Sequence, residues 1–296
     1  MGELHYWVGC MHKSQSAMEY LMTYGWAILI IAVVLSVLFQ LGVFSSGNFQ
    51  PHAQPGACQV SRTAAGVSLE GQCNGLLPQY VASVNGATGN ILAIDPGLPS
   101  GSSARTLTVW FKVNANGDDR SGVGWGQGCS SGSPGTINYL TGPFSNGQLY
   151  FMASYDDVSP SNQQITPGTW YFEAFSYPGG TTINLYLDSN EITAGLVDAL
   201  NTQAGSPLVV GQSPCGAWAG GYMANIQAYN VSLSAYEIQA LYLEGIGGAP
   251  IRPQNLVGWW PLNGNANDYS GNNYNGQIYG SGIDYSSAWT GGYSAP

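Results

Sequence analysis

The sequence predicts a mainly β protein, in which one N-terminal apolar α-helix is followed by an antiparallel two-sheet β-sandwich with one short helix. Three observations lead there. The stretch from Leu21 to Phe44 contains no charged residue. Beyond it, short segments alternate apolar and polar residues between turns rich in Gly, Pro, Asn and Ser. Only 7% of the 296 residues are charged, while Gly (42), Tyr (19) and Trp (9) are plentiful. An ordinary soluble domain carries about a quarter charged residues, so this composition suits an exported all-β surface protein.

At about 1.5 Å per residue, the 21–44 stretch is long enough to cross a hydrocarbon core of about 30 Å. A cleaved secretory signal is shorter and ends in small residues, whereas this stretch runs into SSGNFQPHAQPG. It is therefore expected to stay on the chain as an anchor in membrane lipid. Lys13 lies on the short side and a base-poor domain on the other, which predicts an N-terminus inside and a C-terminal domain outside the cell.

Just ahead of the apolar stretch stands Lys13-Ser14-Gln15-Ser16-Ala17-Met18-Glu19. This resembles the class III signal peptide of archaeal type IV pilin-like proteins. The resemblance implies a prepilin peptidase cut between Ser14 and Gln15, a leader over 1–14, a retained helix over 15–44, and Glu19 in the place of the pilin glutamate. A carboxylate entering hydrocarbon is costly unless it meets a partner, such as the new α-amino group of a neighbouring subunit. Like subunits are thus expected to associate through the helix, possible surface filaments included. The alternative is a simple anchor with Glu19 in the headgroup layer. Met11 is an alternative start that gives a short basic leader.

Residues 45–57 read as a linker and 58–296 as the globular domain. In TLTVWFKV (106–113) Leu107, Val109, Phe111 and Val113 share a face, and in TTINLYLD (181–188) Ile183, Leu185 and Leu187 do so; both read as half-buried strands. Further strands are expected near Gln148, Thr169, Pro207, Tyr222 and Leu256. The helix is expected in LSAYEIQALYLEG, with Ser234 as N-cap, Glu237 three residues on, Leu233 stapled to Ile238, and Gly245 ending it.

The blocks TLTVWFKV, TPGTWYFEAFSYPGGTTINLYLDSNEI and GYMANIQAYNVSLSAYEIQALY resemble successive parts of the LamG-like, concanavalin A-type jelly roll, over most of residues 80–245. One departure is order in the chain. LVGWWPLNGNANDYSGNNYNGQIYG (256–280) resembles the segment that opens such a domain, yet lies at the C-terminal end, as a permuted strand segment or a truncated second repeat.

Four of the five cysteines lie beyond the leader, namely Cys58, Cys73, Cys129 and Cys215. An even number outside the membrane predicts two disulfides, and Cys58 with Cys73 plus Cys129 with Cys215 is favoured because the first pair closes a short local loop. No C-x-x-C spacing offers a zinc site. The LamG resemblance implies a possible calcium ion, for which Asp156, Asp157 and Asp268 are the candidates; the same residues are ordinary turn formers.

Catalysis is not expected. No strand carries paired carboxylates at glycosidase spacing, the E-x-D-x-x-E signature of the fold's glycosidases is absent, and the histidines His5, His12 and His52 fall in leader and linker. Sixteen acids against six scattered bases argue against nucleic acid as a partner. Two readings remain: a pilin-like subunit displaying a lectin-like sandwich, or a singly anchored adhesin that binds glycans or surface glycoproteins. Trp125 and Trp218, each in a glycine-rich stretch near a cysteine, are the candidates for stacking on sugar rings.

Overall fold

The computed structural model describes residues 15–40, 51–94, 97–115, 122–126, 133–141, 147–159, 164–196, 198–212, 216 and 220–296. Two compact units divide the chain, 1–49 and 50–296. The first contains α1 (Gln15–Gln40). Within it, Met22–Gln40 has a mean hydropathy of 2.3, and its apolar side chains other than the half-buried Leu38 are exposed, from Leu35 at 45% to Phe39 at 73%. A helix so apolar is stable only with lipid or other helices around it. Lys13, Ser14 and residues 41–44 of the expected helix lie outside the described residues, and nothing is described of the side chains of Gln15 and Glu19.

The second unit runs β1 (His52–Ala53), β2 (Cys58–Thr63), β3 (Gly66–Gly71), β4 (Leu77–Pro78), β5 (Val81–Asn85), β6 (Asn90–Ala93), β7 (Arg105–Val113), β8 (Gly122–Gly126), β9 (Ile137–Thr141) and β10 (Tyr150–Met152). It continues with β11 (Tyr171–Tyr177), β12 (Thr182–Leu187), β13 (Asn190–Gly195), β14 (Leu208–Val210), β15 (Gly220–Tyr229), α2 (Ala235–Leu243), β16 (Leu256–Trp260), β17 (Gly276–Tyr279) and β18 (Ile283–Ser286). Among the described residues these strands build a six-stranded sheet, β10-β9-β8-β14-β6-β17, and an eight-stranded sheet, β13-β12-β11-β7-β15-β5-β18, with β16 also on β15. The stretch read as a linker contributes β1, which pairs in parallel with β4.

The two sheets pack face to face over a core that takes Leu107, Val109, Phe111 and Val113 from β7, Ile183, Leu185 and Leu187 from β12, and Val123, Trp125 and Leu140 from the opposing sheet. Contrary to the half-buried strand expected, all nine residues of β7 are buried. The reason is a second layer on the far side of the eight-stranded sheet, where Trp110, Phe172 and Tyr186 pack with Ile238 and Leu241 of α2, Trp259 of β16 and Trp289 near the C-terminus. A sheet covered on both faces loses the clean alternation that marks a half-exposed strand.

Helix α2 begins as its sequence implies. Glu237 Oε2 accepts hydrogen bonds from the Ser234 N–H at 2.9 Å and from its Oγ at 2.8 Å, Leu233 and Ile238 are buried in one cluster, and Gly245 follows the helix at φ +78°. Such a left-handed residue closes a helix at little strain only when it is glycine.

The C-terminal segment completes the same sandwich, which excludes a truncated second repeat. One edge of β15 is shared end to end. Gly220–Met223 pairs with β5 and Ile226–Tyr229 with β16. β17 then borders β6 in one sheet and β18 borders β5 in the other. Ala295 and Pro296 line the same cleft as Gly75, Leu76 and Leu77. The C-terminal segment thus reaches the start of β4.

Candidate functional site

The outward face of the six-stranded sheet follows from strand alternation. In β8 the residues Val123 and Trp125 point into the core, so Gly122, Gly124 and Gly126 floor the outer face. A Cβ on Gly124 would stand 2.1 Å from the Asn138 carbonyl oxygen and 2.7 Å from the Tyr139 ring, so only glycine lets that ring lie down on the sheet. Burial holds the Tyr139 phenol well above its usual pKa.

Across this face, Gly124 is level with Tyr139 and Val209, Val209 with Leu92, and Leu92 with Gln277. One step along, Asn90 is level with Tyr279. Asn90 Nδ2 donates to Gln212 Oε1 at 2.6 Å, and Tyr279 Oη donates to Gln277 Oε1 at 3.0 Å. Asn90 Oδ1 is buried and accepts no hydrogen bond. Tyr279 is 43% exposed. None of the named strand residues of this sheet is charged. An exposed aromatic ring beside neutral carboxamides can stack on and hydrogen-bond an uncharged polyhydroxylated ligand.

A match between residues 85–239 and the family model of the concanavalin A-like lectin/glucanases superfamily takes in just over half the chain. The chain belongs to this superfamily. As a superfamily member it is similar to a protein from Bacteroides ovatus described as carbohydrate-binding, at TM-score 0.49 and 12% identity, over 77% of this chain and 65% of that one. It is also similar to the heptameric SAP-like pentraxin of Limulus polyphemus (TM-score 0.43, 14% identity, 58% of this chain and 85% of that one). A third likeness is to the CBM40 of the Ruminococcus gnavus IT-sialidase, whose structure holds α2,3 sialyllactose (TM-score 0.42, 15% identity, 54% and 95%). No curated protein matches the chain.

The residues singled out from sequence land elsewhere on this superfamily fold. Trp125 is no sugar platform, because its ring is 1% exposed in the inter-sheet core and its Nε1–H is spent on the Pro99 carbonyl at 2.9 Å. Its glycine neighbours alternate with it along a strand and do not form a loop. Trp218, Cys129 and Cys215 lie outside the described residues. Cys58 and Cys73 are joined in a disulfide, with Cα atoms 4.9 Å apart.

The carboxylate of Asp268 is filled by donors of the fold and leaves no room for a calcium ion. Asp268 is 7% exposed. Its Oδ1 accepts from the Trp259 and Ser270 N–H groups at 2.9 and 2.8 Å, and its Oδ2 accepts from Ser270 Oγ and the Tyr274 N–H at 2.8 and 2.9 Å. With two donors on each oxygen, its lone pairs are taken up. Asp157 Oδ1 accepts from Ala153 N–H at 2.9 Å and Asp156 Oδ2 from Asp198 N–H at 3.0 Å, which fastens the turn at Ser154 and Tyr155. Among the described residues no three His, Cys, Asp or Glu side chains cluster as a metal site would require.

Sequence reasoning passed over Asn90, Gln212, Gln277 and Tyr279. The available signal was the alternation in GQIY, which sets Gln277 and Tyr279 on one face.

Proposed function

We propose that the protein is a membrane-anchored, glycan-binding surface protein, held by α1 and presenting the outer face of the six-stranded sheet to carbohydrate. The observation that carries this reading is the uncharged surface platform of Tyr279, Gln277, Asn90 and Gln212.

Binding is favoured over catalysis. The strand carboxylates Glu70, Glu173, Glu191 and Asp284 each stand on a different strand, and Glu173 is sealed at 4% exposure. A glycosidase needs two carboxylates facing one cleft.

The anchor reading extends to a pilin-like subunit. Cleavage between Ser14 and Gln15 by a prepilin peptidase would leave the helix on the exported chain, with Glu19 one turn from the new amino terminus. N-terminal sequencing of protein from the native surface, together with sedimentation for filaments, tests it. A chain starting at Gln15 in filaments supports assembly, a monomer in vesicles leaves a single-anchored adhesin, and a soluble product starting after Ser45 overturns both. Glycan binding is tested on an array with the full chain in detergent. Retention lost in Tyr279→Ala supports the platform, and a blank array overturns it.

A further inference from the structure

A second recess lies on the opposite side of the sandwich, between the disulfide-closed hairpin β2-β3 and the junction of β15 with β16. Its walls include Ala57, Cys58, Leu76, Ile246 and Trp259, and four carboxamide residues, Gln54, Gln72, Asn225 and Asn263, also line it. Gln54 and Gln72 are exposed at its rim, while Trp259, Asn225 and Asn263 are 3%, 5% and 6% exposed. No lining residue is charged.

Asn225 is the organising residue. It sits at a bulge of β15 between Ala224 and Gln227, with φ +49°, a conformation that is strained for a side-chain-bearing residue inside a strand. Its Oδ1 accepts from Trp259 Nε1 at 2.8 Å and from Gln227 Nε2 at 3.0 Å, and its Nδ2 donates to the Gly248 carbonyl at 2.8 Å. A carboxamide nitrogen has two hydrogens, so one N–H remains. Asn263 is fixed on both sides, accepting from Tyr80 N–H at 2.8 Å and donating to the Ala53 carbonyl at 2.8 Å. The recess is thus a preformed wall of apolar side chains and fixed amides.

Size sets the class of ligand group. The cavity volume is about 40 Å³, and one water-sized group needs about 10–15 Å³ on the same measure. The recess holds a substituent of about three to four non-hydrogen atoms, not a sugar ring. A charged substituent would meet no counter-charge. A bare hydroxyl would leave the apolar wall uncovered. A group with a methyl beside an amide fits both parts of the lining.

We propose that this recess takes the acetamido group of an N-acetylated amino sugar, the methyl against Ala57, Leu76 and Ile246 and the amide against the carboxamides of Asn225, Gln54 and Gln72. The inference rests on the glycan-binding reading above but uses a different surface. The Cys58–Cys73 disulfide closes the hairpin that forms one wall, so it holds the recess in shape.

The test is saturation-transfer NMR on the full chain in detergent, with triacetylchitotriose and, as the same backbone without acetamides, cellotriose. The expected result is strong transfer to the acetyl methyls and at least tenfold weaker binding of cellotriose. Ala57→Leu, which fills the recess, should abolish the acetyl signal. The paired surface change Gln54→Ala with Gln72→Ala should weaken binding by about tenfold, the scale of a hydrogen bond or two, with an unchanged melting temperature. Equal binding of the two trisaccharides, or an acetyl signal that survives Ala57→Leu, overturns the acetamido site while leaving the glycan platform standing. No binding of triacetylchitotriose also overturns it, and the array result decides separately on the platform.

Discussion

Arg105 Nη1 donates to Asn138 Oδ1 at 2.8 Å, a bond that crosses the interior from β7 in one sheet to β9 in the other. The rest of the guanidinium is taken up by Thr202 Oγ1 and by the carbonyls of Pro99, Ser100, Gly101 and Ser103. These acceptors are all neutral, and burial lowers the Arg105 pKa to about 10, against a smaller raising effect of Tyr177. The side chain is still a cation at neutral pH. Asn138→Ala would remove the shortest of the three acceptors around Nη1, leaving only Thr202 Oγ1 and the Pro99 carbonyl, together with the Asn138 Nδ2 bond to the Trp125 carbonyl. The expected loss is about 2–3 kcal/mol in urea unfolding. A loss under about 0.5 kcal/mol, within the range of ordinary surface changes, would show that the tie between the sheets is dispensable.

Glu173 faces the same interior, level with Val109 on β7 and Leu187 on β12, and burial raises its pKa well above the usual carboxylate value. Between the unfolded value, about 4.3, and the raised folded value, the folded chain keeps a proton that the unfolded chain has released. Stability is therefore greatest in acid and declines as pH rises through that window. Glu173→Gln removes the titration at nearly constant shape. The difference between variant and parent in thermal melts should be near zero at pH 4 and grow in favour of the variant towards neutrality. A difference that stays flat from pH 4 to 9 would mean that Glu173 is solvated and ionised in the folded chain.

Much of this architecture is legible in sequence because local rules and packing agree there. Leu107, Val109, Phe111 and Val113 do share the core face, and Ser234, Glu237 and Gly245 do bound α2. The second layer was not legible. Whether Trp110 and Phe172 face water depends on Trp289 and Tyr293, more than a hundred residues away in the chain, folding back over them. Trp125 misled for a related reason: glycines at alternate positions mean a loop in one context and, in β8, a floor for the Tyr139 ring. At Asp268 the sequence alone leaves turn former and metal ligand open, because the four donors on its carboxylate are brought together only by the folded backbone.

Asp268→Asn tests that assignment. The carboxamide offers one acceptor oxygen where the carboxylate offers two, so one pair of donors, either the Trp259 and Ser270 amides or Ser270 Oγ and the Tyr274 amide, loses its partner. With hydrogen bonds to a charged group at about 1.5–3 kcal/mol, the melting temperature should fall by several degrees. A calcium chelator should not move the melting temperature of the parent protein. A chelator-induced drop that is absent in the variant would restore Asp268 as a metal ligand.

The C-terminal strap offers a coupled test. Lys112 Nζ donates to the carbonyls of Trp289 and Gly291 at 3.1 and 2.7 Å and lies 4.6 Å from the Tyr222 ring centroid and 5.4 Å from that of Trp170, and its burial lowers its pKa. Trp289 itself is fully buried, donates to the Pro78 carbonyl and accepts from Trp170 Nε1. Trp289→Ala should cost about 3–5 kcal/mol, in part because a strap that loosens leaves the Lys112 cation boxed by rings without its carbonyl partners. In a Lys112→Met background the cation is gone, so the same Trp289→Ala change should cost at least 1 kcal/mol less, a coupling in the range expected of residues in contact. Strictly additive losses would mean that the strap is held by aromatic packing alone and that Lys112 contributes nothing to its docking.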